Sequence, residues 1–308
     1  MAKKKLLNEF QKCVLAAPNI PYKANWDTDI HPEKKSVNGY HDAARALRIE
    51  ALESAKTLLQ LAPFAKLKDD AGNQYSLSEI DPLIEYMKQH TDDNRFLKEI
   101  SSANRKLVDP NVNQRPERIL DYLRFQILVN TPQEAATLRN ALLCDDPPTG
   151  ITVTSYKDQF RKPCEEGGHA ALKTHILVSS ESQQMLAEMQ ISYSAMEEAH
   201  FPKAMRDIER RMKEASASCH EAGLSRHFIV SSACDEIFDR VQALRRYANL
   251  SILKKGGFLC MCDKDYNAEE IMNNAMETYN NGSHHANELM THFSLPKTQK
   301  ELLANIIH

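Results

Sequence analysis

The chain is poor in the residues that punctuate a many-turned fold. Nine glycines and 13 prolines serve 308 residues, with a single tryptophan. Turn chemistry this sparse argues against an all-β sandwich or barrel and favours long helices. No apolar run approaches the roughly 18–20 residues that a membrane helix needs. The basic start, Met1 to Cys13, lacks the apolar stretch of a secretory signal, so a cytoplasmic location without a membrane partner is expected. Neither sign of charge dominates: 39 Lys+Arg against 42 Asp+Glu leave −3. That balance excludes coating of nucleic acid by bulk charge and leaves room for a local basic groove. The seven cysteines contain no CxxC pair, which favours reduced thiols over a disulfide framework. Cys260-Met-Cys262 lacks the second ligand pair of a zinc site.

What is present is a globular balance, 42% hydrophobic and 26% charged. From His41 to Leu61, Ala44, Leu47, Ala51, Ala55, Leu58 and Leu59 recur at spacings near three and four, which predicts one amphipathic helix closed by Pro63. A second helix is expected after Ser78, with Asp81 as cap and Pro82 in the first turn, and a short one from Asp92-Asp93-Asn94 through Phe96 and Ile100. After Pro110 the texture changes. Residues 118–129 read as a largely buried strand, and Thr131-Pro132-Gln133-Glu134 combines a cap, a first-turn proline and an acid at the third position, so a helix to Leu143 follows. Asp145 to Gly150 is a turn, then come strands at 151–160, 169–178 and 185–192, the last two joined at Glu181-Ser182-Gln183. Helices return at 195–216, interrupted by Pro202, and near 233–248, 267–281 and 296–307, with a short apolar piece at His227–Val230.

The strands carry the residues of chemical interest. On a regular strand Asp121 shares a face with Leu123, Phe125 and Ile127, and Glu188 shares one with Gln190, while Arg124 points away from Asp121 unless a bulge intervenes. Carboxylates from two neighbouring strands can hold Mg²⁺, which completes its shell with water and phosphate oxygens. A metal so placed neutralises a transferring phosphoryl group. An ion pair or a solvated strand end would account for the same two acids.

Three segments taken together resemble the synthetase domain of the RelA/SpoT family: Asp121 with the strand behind it, Lys162-Pro163 to Gly167-Gly168-His169-Ala170-Ala171-Leu172-Lys173, and Ala187-Glu188-Met189-Gln190-Ile191 with Ala195-Met196 after it. The resemblance covers about residues 95–215. It implies an α+β fold, a mixed β-sheet nucleotidyltransferase-like core (95–216) between an N-terminal helical region (1–94) and a mainly helical C-terminal region (217–308). It further implies an ATP-dependent transferase that moves pyrophosphate to a 3′-hydroxyl, with Mg²⁺ as cofactor and ATP as donor. The acceptor would be GDP, GTP, ADP or tRNA, and the setting a stringent response or a toxin. By position, Asp121 and Glu188 match the metal-binding catalytic acids and Gln190 the nucleotide-contacting glutamine. Arg105 and Lys106 fall where the family sets basic residues against the ATP phosphates. Arg161, Lys162 and Lys173 are further phosphate-binding candidates by charge, Arg124 is a candidate if the site is reached from its face, and His169 stands where the family stacks a tyrosine on the acceptor.

The chain also departs from that pattern. Ala170 and Ala171 replace an Arg and a Ser, Lys173 a His, Ser192 an Arg and Ala204 a His. These changes fit either a new acceptor or a catalytically degenerate copy acting as a protein-interaction module or secreted effector. Residues 217–308 would then orient the acceptor, mediate oligomerisation, or bind a neutralising or activating protein. His41-Asp42 resembles the HD metal-hydrolase signature but lacks a well-spaced second histidine. His284-His285 with His292 reads as a solvated helix face rather than a metal site.

Overall fold

The computed structural model describes residues 36–110, 112–144, 151–221, 225–293, 295–296, 301–302 and 304. Two helices, α1 (Val37–Ala46) and α2 (Arg48–Leu61), stand where one was expected. Leu47 leaves helical geometry at φ −93°, ψ 6°, yet its side chain is fully buried. The apolar spacing therefore runs on across the break and conceals it. Next comes a hairpin that the pattern did not announce, β1 (Lys66–Lys68) and β2 (Gln74–Tyr75). The Asp69 carboxylate ties its turn, accepting from the Asn73 backbone at 2.8 Å and from Tyr75 Oη at 3.0 Å.

Helix α3 (Leu77–Gln89) begins one turn earlier than expected, because Ser76 and Glu79 form the capping box. Pro82 lies inside that helix, and Asp81 pairs with Lys56 at 2.5 Å instead of capping. No helix starts at Asp92–Asn94. Arg95 claims the Asp93 carboxylate through its backbone N–H and guanidinium, both at 2.8 Å, and Phe96 then turns into left-handed backbone at φ 66°. Helix α4 (Ile100–Leu107) comes next.

The strand expected over 118–129 is shorter, β3 (Leu123–Val129). Helix α5 (Pro132–Leu143) has the predicted cap: Thr131 Oγ1 accepts from Glu134 N at 3.2 Å, and Glu134 Oε2 accepts from Thr131 N at 3.2 Å. β4 (Val153–Asp158), β5 (Ala171–Ser179) and β6 (Gln184–Tyr193) complete a six-stranded sheet of order β2-β1-β3-β6-β5-β4 among the described residues. Ser180 N donates to Gln183 O at 2.8 Å in the predicted β5–β6 turn. β3 and β6 run parallel and the other neighbours antiparallel, so the chain is α+β with a mixed sheet. One face of the central strands is apolar and buried: Leu123, Phe125 and Ile127 beside Ala187, Met189 and Ile191. At about 1.5–3 kcal/mol per large side chain, that face is the main hold on the sheet.

Backbone contacts divide the chain into two compact units. One takes in the described residues up to Asp158 with Ala171–Ser194; the other takes in Gln159–Ala170 and the described residues from Ala195 on. Helix α6 (Ser194–Glu198) bridges the boundary in sequence, and the second unit continues with α7 (His200–Glu221), α8 (Ser225–Lys255), α9 (Ala268–Asn280) and α10 (His284–Met290). Pro202 sits in the first turn of α7, where its missing N–H costs nothing, so a new helix begins there rather than a kink. His227–Val230 is no separate piece but part of the 31-residue α8. The turn at 145–150 and most of the helix expected at 296–307 lie outside the described residues. No helix among the described residues is long and apolar enough to cross a membrane.

Candidate active site

The face of the sheet opposite the apolar one is polar by register. Parallel pairing of β3 with β6 sets Arg124 beside Glu188 and Gln126 beside Gln190. Antiparallel pairing of β5 with β6 sets His175 on the other side of Glu188 and Lys173 beside Gln190. All six side chains are half-buried. Arg124 reaches this face without any bulge in the β3–β6 register and pairs with Asp70 at 2.9 Å. Glu188 Oε1 accepts from Gln190 Nε2 at 2.9 Å. Lys68, Asp70, Arg124, Gln126, Glu188 and Gln190 line a shallow cleft of about 180 Å³.

Strand alternation does not set the direction of Asp121. The residue precedes the strand, so the alternation never reaches it. What places it is a two-residue pairing: Lys98 N donates to Tyr122 O and Arg124 N to Phe96 O, each at 2.9 Å, with Leu97 bridged to Leu123. That pairing brings Lys98 beside Asp121, and the last turn of α4 brings Lys106. Both ammonium groups donate to Asp121 Oδ2 at 2.8 Å. Lys98 is 4% exposed and Asp121 5%. Charges so buried persist only as partners. Burial pushes the Asp121 carboxyl up, but the hydrogen bonds and charges of Lys106 and Lys98 outweigh it and hold the group below the usual carboxylate range. Burial also drives the Lys98 ammonium below its ordinary value, against the pull of Asp121.

Asp121 Oδ1 is buried and has no hydrogen-bond donor among the described residues. An acceptor left open in this way fits a cation. Among the described residues no group of three or more His, Cys, Asp or Glu is placed to hold a metal. Mg²⁺ asks for less, one or two carboxylates with water and phosphate oxygens, and the open Oδ1 of Asp121 is a donor of that kind. The His175 ring lies within electrostatic reach of Glu188, Asp121 and Lys106, which joins the strand-end cluster to the sheet face.

The structure thus brings together Asp121, Lys106, Arg124, Lys173, Glu188 and Gln190 in the first unit. Arg105 belongs to the same helix as Lys106 but is exposed and, among the described residues, donates only to Ser102 Oγ at 2.9 Å. Arg161, Lys162 and His169 belong to the second unit. There Arg161 pairs with Asp263 at 2.7 Å, exposed Lys162 with Glu165 at 2.7 Å, and His169 Nε2 lies 3.1 Å from Glu197 Oε1. The loop carrying His169 is pinned to α8: Asn249 Nδ2 donates to Gly167 O at 2.7 Å, and Gly168, at φ 66°, passes so close that a Cβ would sit 2.8 Å from Arg246 O. His41 is buried and 3.4 Å from Arg45 Nη2, a helix contact rather than a metal site.

Two residues of the cluster escaped the pattern, Lys98 and His175. Lys98 sits in an ordinary-looking Leu-Lys-Glu run, and only the alternation of His175 with Lys173 on one strand face marks it. No protein-family model matches the chain, and no curated protein matches it. Among solved structures, the small alarmone synthetase 1 from Bacillus subtilis, bound to its product pppGpp, aligns over 59% of this chain and 87% of that one. The identity is 16% and the TM-score 0.32. At so low a score, only the residues of the cluster themselves bear on function.

Proposed function

We propose that the protein transfers pyrophosphate from ATP to the 3′-hydroxyl of a nucleotide or RNA acceptor, with Mg²⁺ as cofactor. The observation that carries this reading is Asp121: a buried carboxylate with one oxygen clamped by two lysines and the other open, at the rim of a face that bears Arg124, Lys173, Glu188 and Gln190. Cations and paired carboxylates in one place are what a triphosphate and its metal require.

Asp121 Oδ1 and Glu188 would hold Mg²⁺, which neutralises charge on the phosphoryl oxygens. Lys106, half in solvent, is poised to exchange Asp121 for a triphosphate, with Arg124 and Lys173 on the sheet face, while Lys98 stays with Asp121. The acceptor hydroxyl attacks the β-phosphorus, the bond from that phosphorus to the α,β-bridging oxygen breaks, and AMP leaves. The hydroxyl proton passes to Glu188. Gln190, hydrogen-bonded to Glu188, steadies that carboxylate and faces the nucleotide. Ala171, fully buried at the start of β5, offers the acceptor no polar contact where the family resemblance sets a Ser, so the acceptor is held differently from the family's usual one.

ATP labelled at both β- and γ-phosphorus, incubated with the protein, Mg²⁺ and GDP, GTP, ADP or tRNA, tests the reading. Both labels should reach one acceptor while AMP forms in equal amount. Transfer of the γ-label alone, or ATP left intact with every acceptor, would refute it, the second outcome in favour of an interaction module.

A further inference from the structure

The second unit holds a cavity of about 320 Å³ whose wall shares no residue with the site proposed for pyrophosphate transfer. It lies where α8, the end of α9 and α10 meet, and Arg240 of α8 is the one charged residue among those described in its wall. Arg240 is 6% exposed and held from two sides: Nε donates to Tyr279 O at 2.8 Å and Nη1 to Asn287 Oδ1 at 2.9 Å. The Tyr279 carbonyl belongs to the last turn of α9, which has no helical donor for it, so Arg240 caps that helix. A Cβ on Gly282 would collide with Nη1, so the turn after α9 closes over that side of the guanidinium. Glu236 Oε1 stands 3.9 Å from Nη1, beyond hydrogen-bond reach, and already accepts from Ser283 N at 2.6 Å. Nη2 makes no hydrogen bond among the described residues. A buried guanidinium with donors to spare favours an acceptor that carries charge.

The rest of the wall divides by chemistry. Asn280, Asn287 and Thr291 supply amides and a hydroxyl, while Met290, Leu295 and Pro296 supply hydrocarbon. Tyr279 Oη donates to Pro296 O at 2.7 Å and fixes the apolar segment in place. One cation, a few neutral polar groups and an apolar wall suit a small organic anion. A single guanidinium matches one negative charge, and a dianion would leave the second unmatched beside hydrocarbon. The volume is near the lower end of ligand pockets, about 300–1,000 Å³, which leaves room for a short tail. We propose that this cavity binds a short-chain monocarboxylate, with its carboxylate on Arg240 Nη2 and its tail against Met290, Leu295 and Pro296. The site goes beyond the transferase reading and does not depend on it.

The probe is isovalerate, titrated calorimetrically into the full chain beside its neutral isostere isovaleramide and inorganic phosphate. Isovalerate should saturate one site per chain, with isovaleramide and phosphate at least about tenfold weaker. NOEs should connect its methyl groups to the Met290 ε-methyl. Arg240→Gln should weaken binding about tenfold or more. Because Arg240 also caps α9, Leu295→Trp is the second variant. Its indole fills the apolar side and leaves both hydrogen bonds of Arg240 in place, so binding should be lost while the helical circular dichroism stays as in the wild type. No saturable binding of isovalerate, equal binding of isovaleramide or of phosphate, or undiminished binding in Leu295→Trp would overturn the proposal.

Discussion

The two acids proposed to work together live in opposite circumstances. Asp121 is buried, bonded to two lysines, and held below its normal titration range. Glu188 is half-buried on an open strand face and has one hydrogen bond among the described residues, from its neighbour Gln190. The first is part of what keeps Lys98 and the Phe96–Lys98 segment in place. The second contributes little to the fold, so its side chain is free for chemistry. A site can thus combine one carboxylate whose removal damages both stability and turnover with another whose removal is felt in turnover alone.

The sharpest way to break this contrast is Asp121→Ala. It strands a buried ammonium group and should cost about 3–5 kcal/mol by denaturant unfolding, along with all transfer activity. A loss below about 1 kcal/mol would show that Lys98 finds another partner. Next is Glu188→Gln, expected to lower turnover by about 10²–10⁴-fold while unfolding shifts by no more than about 0.5 kcal/mol. Lys106→Met sits between the two acids. Half of its side chain is in solvent, so its ion pair is worth about 0.2–1 kcal/mol, but the KM for ATP should rise clearly.

The acid limb of stability sharpens the comparison further. The folded Asp121 carboxyl titrates below the ordinary value of about 3.9, so as pH falls the unfolded chain takes up the proton first. Its stabilisation is complete above roughly pH 4 and drains away as pH drops through the folded-state value. Asp121→Asn should flatten that limb, whereas Glu188→Gln should leave it as in the wild type. The smallest effect is expected for Arg105→Ala, which should be close to neutral in both stability and activity, since Arg105 is exposed and its hydrogen bond to Ser102 lies at the surface.

Much of the fold was legible in the chain itself where local chemistry and long-range packing agree. The Thr131–Glu134 capping box, the β5–β6 turn at Glu181–Gln183, and the alternation that puts Glu188 with Gln190 all stand in the structure. Legibility failed where a short segment is held by distant partners. The β1–β2 hairpin has strands of three and two residues, too short for any periodicity to show. Asp92-Asp93-Asn94 reads as a helix start but Asp93 is claimed by Arg95, and Leu47 continues an apolar stripe across a break. Lys98 is the instructive case. Nothing in its neighbourhood marks a buried lysine, because the Asp121 that requires it is 23 residues away and reaches it through a bridge rather than a strand.

The most direct test of the account is to measure turnover and unfolding on the same preparations of wild type and Glu188→Gln, with Mg²⁺, ATP and the acceptor that the labelling experiment identifies. The account predicts equal unfolding midpoints and AMP formation only in the wild type. Equal turnover in the two proteins, or a loss of stability that matches the loss of activity, would contradict it.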